Sequence, residues 1–189
     1  MTWMVLYHGT SQYRAKLIFE SGIIKKDAPR YFTKENNGAN FSSNGFVYLS
    51  NEITWAYRFA MLHGNVEEEN YGYIFKIVIP DEMILADEDE LGDLFPHVLQ
   101  MYSNRLEASL FERKSCRVDF DVNLQTYKGE FCRVCIGAGM SELLTNNGMD
   151  YNYTISHYTK SQEDFINSIT WIKYDAVLKR GDHIDWTIQ

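Results

Sequence analysis

Three short stretches hold the side chains best suited to chemistry. They are His8-Gly9-Thr10, Tyr48 within Gly45-Phe46-Val47-Tyr48-Leu49-Ser50, and Glu130 within Tyr127-Lys128-Gly129-Glu130-Phe131. Each falls close to the end of an expected β-strand, where loops leave a rigid scaffold and sites gather. Gly9 lets a ligand approach the backbone closely, and the Thr10 hydroxyl can bond a sugar or cap a following helix. Taken singly, none of these residues carries much. A lone histidine on a half-buried strand is more often a packed or surface residue than a ligand. Tyrosines in strands or at helical spacing are usually core, which is the bland reading of Tyr48 and Tyr57. Glu130 could equally pair with Lys128 or Arg133 at the surface.

Other clusters are better read structurally. Cys132 and Cys135 form a C-x-x-C, but within a strand-like run, where residues three apart point to opposite faces. No second Cys or His pair stands at ligand spacing, so buried thiols, Cys116 included, fit better than zinc. Asp87-Glu88-Asp89-Glu90 reads as a solvated cap at a helix N-terminus, with no metal. Asn152-Tyr153, His157, Tyr158 and Lys160 could stack the bases of a single-stranded nucleic acid, but a packed surface loop is the simpler reading.

The elements that must position these residues follow from spacing. A first strand covers about Trp3 to Tyr7, and Thr10 or Ser11 caps a helix from Gln12 that buries Ala15, Ile18 and Phe19 and stops at Ser21-Gly22. Lys25 to Asn44 lacks any sustained period and reads as a long loop of the kind that is often functional. Gly45 to Leu49 is a strand, and Ser50-Asn51 caps a helix from Glu52 to about His63 that Gly64 closes. Its apolar face is Ile53, Ala56, Tyr57, Ala60 and Met61. Tyr71 to Ile79 is a central strand ended by Pro80. Leu91 to about Lys114 is helical and broken near Pro96. Arg117 to Leu124 alternates, and Thr126 to Ile136 is a strand or hairpin arm interrupted at Gly129. The tail holds the polar aromatic segment Asn146 to Tyr158, a helix-like run from Glu163 to Ile169 and a closing strand near Asp175 to Leu178.

The order Leu6-Tyr7-His8-Gly9-Thr10, then Gly45-Phe46-Val47-Tyr48-Leu49-Ser50, then a helix carrying Ala56 and Tyr57, resembles the ADP-ribosyltransferase superfamily over roughly residues 4 to 136. It is most similar to the His-Tyr-Glu branch of diphtheria-type toxins and poly-ADP-ribose-polymerase-like enzymes. The resemblance implies an α+β fold, a split β-sandwich of two small sheets flanked by helices, with NAD as co-substrate. His8 would bond the adenosine ribose, the Gly9 backbone would bond the nicotinamide amide, and Thr10 and Ser50 would line the same site. Tyr48 and Tyr57 would sandwich the nicotinamide ring. Glu130 is the match for the acid, bonding the 2′-hydroxyl of the nicotinamide ribose and stabilising an oxocarbenium-like transition state. Glu107, Glu112 and Asp119 are the other candidates. The implied partner is a macromolecular acceptor, protein or single-stranded nucleic acid. By fold-level analogy this suggests a bacterial or phage effector or a toxin-like defence component. Two rivals are an RNA 2′-phosphotransferase-like enzyme, which uses arginines and histidines around a phosphate, and a catalytically inactive module that binds NAD or ADP-ribose.

Composition sets the limits. The 189 residues suit one domain, 1–189, and 45% hydrophobic with 23% charged residues is a globular composition. A net charge of −8 argues against a broad duplex-coating surface, though a local basic cleft is compatible with it. The odd count of three cysteines does not suggest a secreted disulfide framework. The start MTWMVLYHGT lacks a signal-peptide pattern and no apolar run reaches membrane-spanning length, which leads us to expect a cytoplasmic protein without a membrane partner.

Overall fold

The computed structural model describes residues 2–30, 42–92, 94–135 and 169–175. Strand β1, Trp3–Ser11, runs directly into helix α1, Gln12–Ser21. Ser11, not Thr10, is the cap: its Oγ accepts the Arg14 N–H at 3.3 Å. Gly22 closes the helix at φ 71°, its N–H reaching the Ile18 carbonyl at 2.7 Å. Ala15, Ile18 and Phe19 are buried, as their spacing requires.

Two-residue β2, Ile23–Ile24, pairs with β7, Val122–Asn123, in a small second sheet. The main sheet has seven strands in the order β5-β6-β3-β1-β4-β8-β9, and every described pairing is antiparallel. Its remaining members are β3, Val47–Ser50, β4, Tyr71–Pro80, β5, Leu85–Ala86, β6, Ser115–Val118, β8, Glu130–Cys135, and β9, Ile172–Lys173. The protein is therefore mixed α+β. Strand β4 is central, paired with β1 from Trp3↔Pro80 to Ser11↔Gly72 and with β8 from Tyr71↔Cys135 to Lys76↔Glu130. Its buried Phe75 and Ile77 join Leu6, Val47, Leu49, Phe19 and Phe131 in the larger core. Gly129 donates its N–H to the Leu124 carbonyl at 2.6 Å, so the turn before β8 is closed by backbone.

On the other face lies helix α2, Ile53–Val66, whose Ile53, Ala56, Ala60 and Met61 pack with Ile74, Cys132 and Val134. This helix runs through Gly64 where the sequence suggests a stop. A glycine inside a helix costs about 0.5–1 kcal/mol, an amount packing of an apolar face readily offsets. The positive φ that ends the segment falls on Glu68, at 56°. Beyond β5, the long helix expected over Leu91 to Lys114 is instead a series of short turns. These are α3, Glu88–Leu91, α4, Pro96–Leu99, α5, Arg105–Ala108, and a π-helical turn, Ser109–Arg113, closed by Lys114 at φ 53°. Pro96 and the Asn104 cap, whose Oδ1 takes the Glu107 N–H at 2.8 Å, each start a helix anew. The segment Asn146 to Tyr158 lies outside the described residues, as does most of the run Glu163 to Ile169 and of the strand near Asp175 to Leu178.

The main sheet is nearly divided in two. Strands β1 and β3 share one registered pair, Tyr7↔Ser50, whereas β1 and β4 share nine. Beside that pair the His8 imidazole bonds the Tyr48 carbonyl, Nδ1 at 3.0 Å. Among the described residues no helix is long and apolar enough to cross a membrane.

Candidate functional site

A cavity of about 800 Å3 opens at this seam. His8, Gly9 and Thr10 of β1, Tyr48 and Ser50 of β3, Arg14 of α1, Arg30, His63 of α2, and Asp87, Asp89 and Glu90 line it. Five of the residues singled out from sequence thus come together. Ser50 is committed to structure: its buried Oγ accepts the Glu52 N–H at 3.0 Å and donates to the Lys114 carbonyl at 2.6 Å. Gly9 meets two demands, since a Cβ there would lie 1.6 Å from the Ala56 carbonyl oxygen of α2.

Tyr57 and Glu130 do not line this cavity. Tyr57 packs with the apolar cluster under α2. The Glu130 carboxylate is paired with Lys76, its neighbour across β4 and β8, and the Lys76 ammonium sits 4.8 Å from the centre of the Trp171 ring. Three strand spacings separate β8 from β3, about 14 Å at ~4.8 Å each.

The acidic run behaves differently from a solvated cap. Asp87 does cap α3, its Oδ1 taking the Glu90 N–H at 3.3 Å, but it is 1% exposed. It closes a buried ring. Ser115 Oγ–H donates to the Asp87 carboxylate, the Asp87 N–H donates to Ser109 Oγ at 2.9 Å, and the Ser109 hydroxyl donates to the Ser115 carbonyl at 2.7 Å. Burial and the neighbouring Glu90 and Asp89 raise the Asp87 carboxyl to about 6, against the lowering effect of the Ser115 and Glu90 bonds. Asp89 grips the cavity residue Tyr48: its Oδ2 accepts the Tyr48 hydroxyl and the Ser43 N–H (2.8 Å), and its Oδ1 accepts the Ser43 hydroxyl at 2.7 Å. Burial alone would raise Asp89. The Tyr48 and Ser43 bonds, with Arg117 at 3.6 Å, instead hold it below its ordinary value. Burial and the Asp89 contact push the Tyr48 phenol up. The Arg30 guanidinium covers the Tyr48 ring at 5.1 Å and donates to the Lys26 carbonyl at 2.9 Å and to the Phe46 carbonyl.

Both cavity histidines are neutral near pH 7. Burial lowers His8 to about 4, Arg30 and Arg14 adding to the effect while the Tyr48 carbonyl opposes it. Burial, then Arg14, His8 and Arg30, lower His63 to about 3. With its proton on Nδ1, bonded to the Tyr48 carbonyl, neutral His8 keeps Nε2 as an acceptor. These shifts fix a sign. An unfolded histidine takes up a proton below about 6.5 that the folded one refuses, so each contributes stability above that pH that is lost as acid is added. His63→Gln is therefore expected to bind about one proton fewer on unfolding near pH 5, read from the pH dependence of urea midpoints. An unchanged slope would show that His63 titrates freely in the folded chain.

Arg14, Arg30, His63, Asp89 and Glu90 were not legible as site residues. Arg14 lies three positions after the α1 cap and its guanidinium is 3.5 Å from Glu67, which reads locally as an ordinary ion pair. Arg30 falls in the long loop marked as functional by length alone, and only the acidic run held a signal, taken there for a cap. Cys132 is buried and its thiol pushed up to about 12 by burial, and Cys116 is likewise buried and raised, which suits packed thiols. Compared with known proteins, the chain matches no family model and no curated protein.

Proposed function

We propose that the seam cavity binds NAD and that the chain transfers ADP-ribose from it to a macromolecular acceptor, protein or single-stranded nucleic acid. The carrying observation is His8, pinned through Nδ1 to the Tyr48 carbonyl so that Nε2 is left to accept a ribose hydroxyl. The near division of the sheet between β3 and β1 supports a split β-sandwich. Arg14 and Arg30 give the pyrophosphate a cationic wall, and Tyr48 gives the nicotinamide a ring to stack on once the Arg30 guanidinium moves off it.

A second reading has one observation in its favour. Two arginines and two histidines line one cavity, a set suited to an RNA 2′-phosphate. Calorimetric titration separates the two. NAD is expected to bind, with affinity at least about tenfold weaker in His8→Ala, the equivalent of one net hydrogen bond of ~1.4 kcal/mol. Binding of a 2′-phosphorylated oligoribonucleotide without binding of NAD would replace the transferase reading by the phosphotransferase one. NAD binding with no nicotinamide released would leave an inactive binding module.

A further inference from the structure

We propose that the carboxylate serving the reacting end of the cavity is Glu90 of α3, beside Asp89, and not a group on the late strand β8. The inference rests on the ADP-ribosyl transfer reading above. The cavity is lined by groups of both signs, Arg14, Arg30, His8 and His63 together with Asp87, Asp89 and Glu90. Of the three acids, Asp87 is closed into its ring with Ser109 and Ser115, and Asp89 is spent on Tyr48 and Ser43. Glu90 is uncommitted. It is half-buried, its N–H is held by Asp87 at 3.3 Å, and its carboxylate bonds no described residue.

A partly desolvated, unpaired anion facing a cavity is stabilised by a cation placed there. A ligand with an anionic centre and a cationic ring suits a lining of both signs, and oxidised nicotinamide dinucleotide is one. In the reaction the bond between the nicotinamide nitrogen and the ribose C1′ breaks and its electron pair leaves with the nitrogen, which loses its positive charge. Glu90 stabilises the charge developing at C1′. A lone pair of the acceptor, or of water, forms the new bond to C1′, and the proton it sheds passes to the Glu90 carboxylate and then to solvent.

The test is nicotinamide release from NAD by the full chain, alone and with cell extract, under wild-type, Glu90→Gln, Glu90→Asp and Glu130→Gln. Glu90→Gln is expected to lower kcat at least about a hundredfold with KM within about threefold and the melting temperature unchanged, and Glu90→Asp to recover part of the loss. Glu130→Gln is expected to stay within about threefold of wild type. An active wild type with unimpaired Glu90→Gln, or a loss confined to Glu130→Gln, overturns the assignment and leaves the transfer reading standing. A wild-type chain that releases no nicotinamide in any extract overturns both.

Discussion

Gly9→Ala is expected to destabilise the protein by more than about 3 kcal/mol, near the upper end of overpacking penalties, and to lower the melting temperature by about 10 °C or abolish folding. The added Cβ would sit 1.6 Å from the Ala56 carbonyl oxygen, 2.5 Å from its carbon and 3.0 Å from the Ala60 nitrogen, all backbone atoms of α2. No rotamer change relieves a clash with helix backbone, so α2 must move off the sheet or the strand must bend. A control sharpens the test. Because the obstacle is a carbonyl, Ala56→Gly removes nothing from it, and the double variant Gly9→Ala/Ala56→Gly is expected to be no more stable than Gly9→Ala alone. Rescue by Ala56→Gly would mean the two elements meet through side chains. A melting temperature within about 2 °C of wild type would mean that α2 does not lie on β1 at all.

Gly9 also illustrates what was legible in the sequence and what was not. That a glycine follows His8 is visible, and the ligand it might admit is a natural reading, but the group that fills the space is a helix from 47 residues downstream. Local signals carried far. The Ser11 cap, the Gly22 terminus, the buried Ala15, Ile18 and Phe19, and the central β4 all follow from short-range chemistry and spacing. Failures came where tertiary packing decides. Gly64 stays helical because α2 has a face to bury, and the 91–114 segment breaks at each cap it contains. Pairing register is the least legible layer. Tyr48 sits opposite Arg117, and Arg117 reaches Asp89, so residues from three separate stretches meet where Tyr48 and Asp89 line the cavity. Glu130 shows the reverse, since its register places it opposite Lys76, a pairing that neither Lys128 nor Arg133 foretells.

Asp87→Ala is the second change with a large expected effect, and its size should depend on pH. Removing the carboxyl takes away the α3 cap, worth about 1 kcal/mol, and leaves the buried Ser115 hydroxyl without its acceptor, worth about 1–3 kcal/mol. Against this, the substitution relieves a buried charge. A carboxyl raised to about 6 in the folded chain and ionising near 3.8 when unfolded contributes stability that is full below about 4 and declines as pH rises through 6. The loss in Asp87→Ala should therefore be largest, about 3 kcal/mol, near pH 4 to 5, and clearly smaller at pH 8. Urea unfolding at the two pH values checks this, and the opposite trend would mean that Asp87 is held as a stabilised anion. The same variant bears on function. Asp89 and Glu90 ride on the turn that Asp87 anchors, so the NAD affinity proposed above should fall along with stability, while Ser109→Ala, which unhooks the ring from its far side, should reproduce both losses in weaker form.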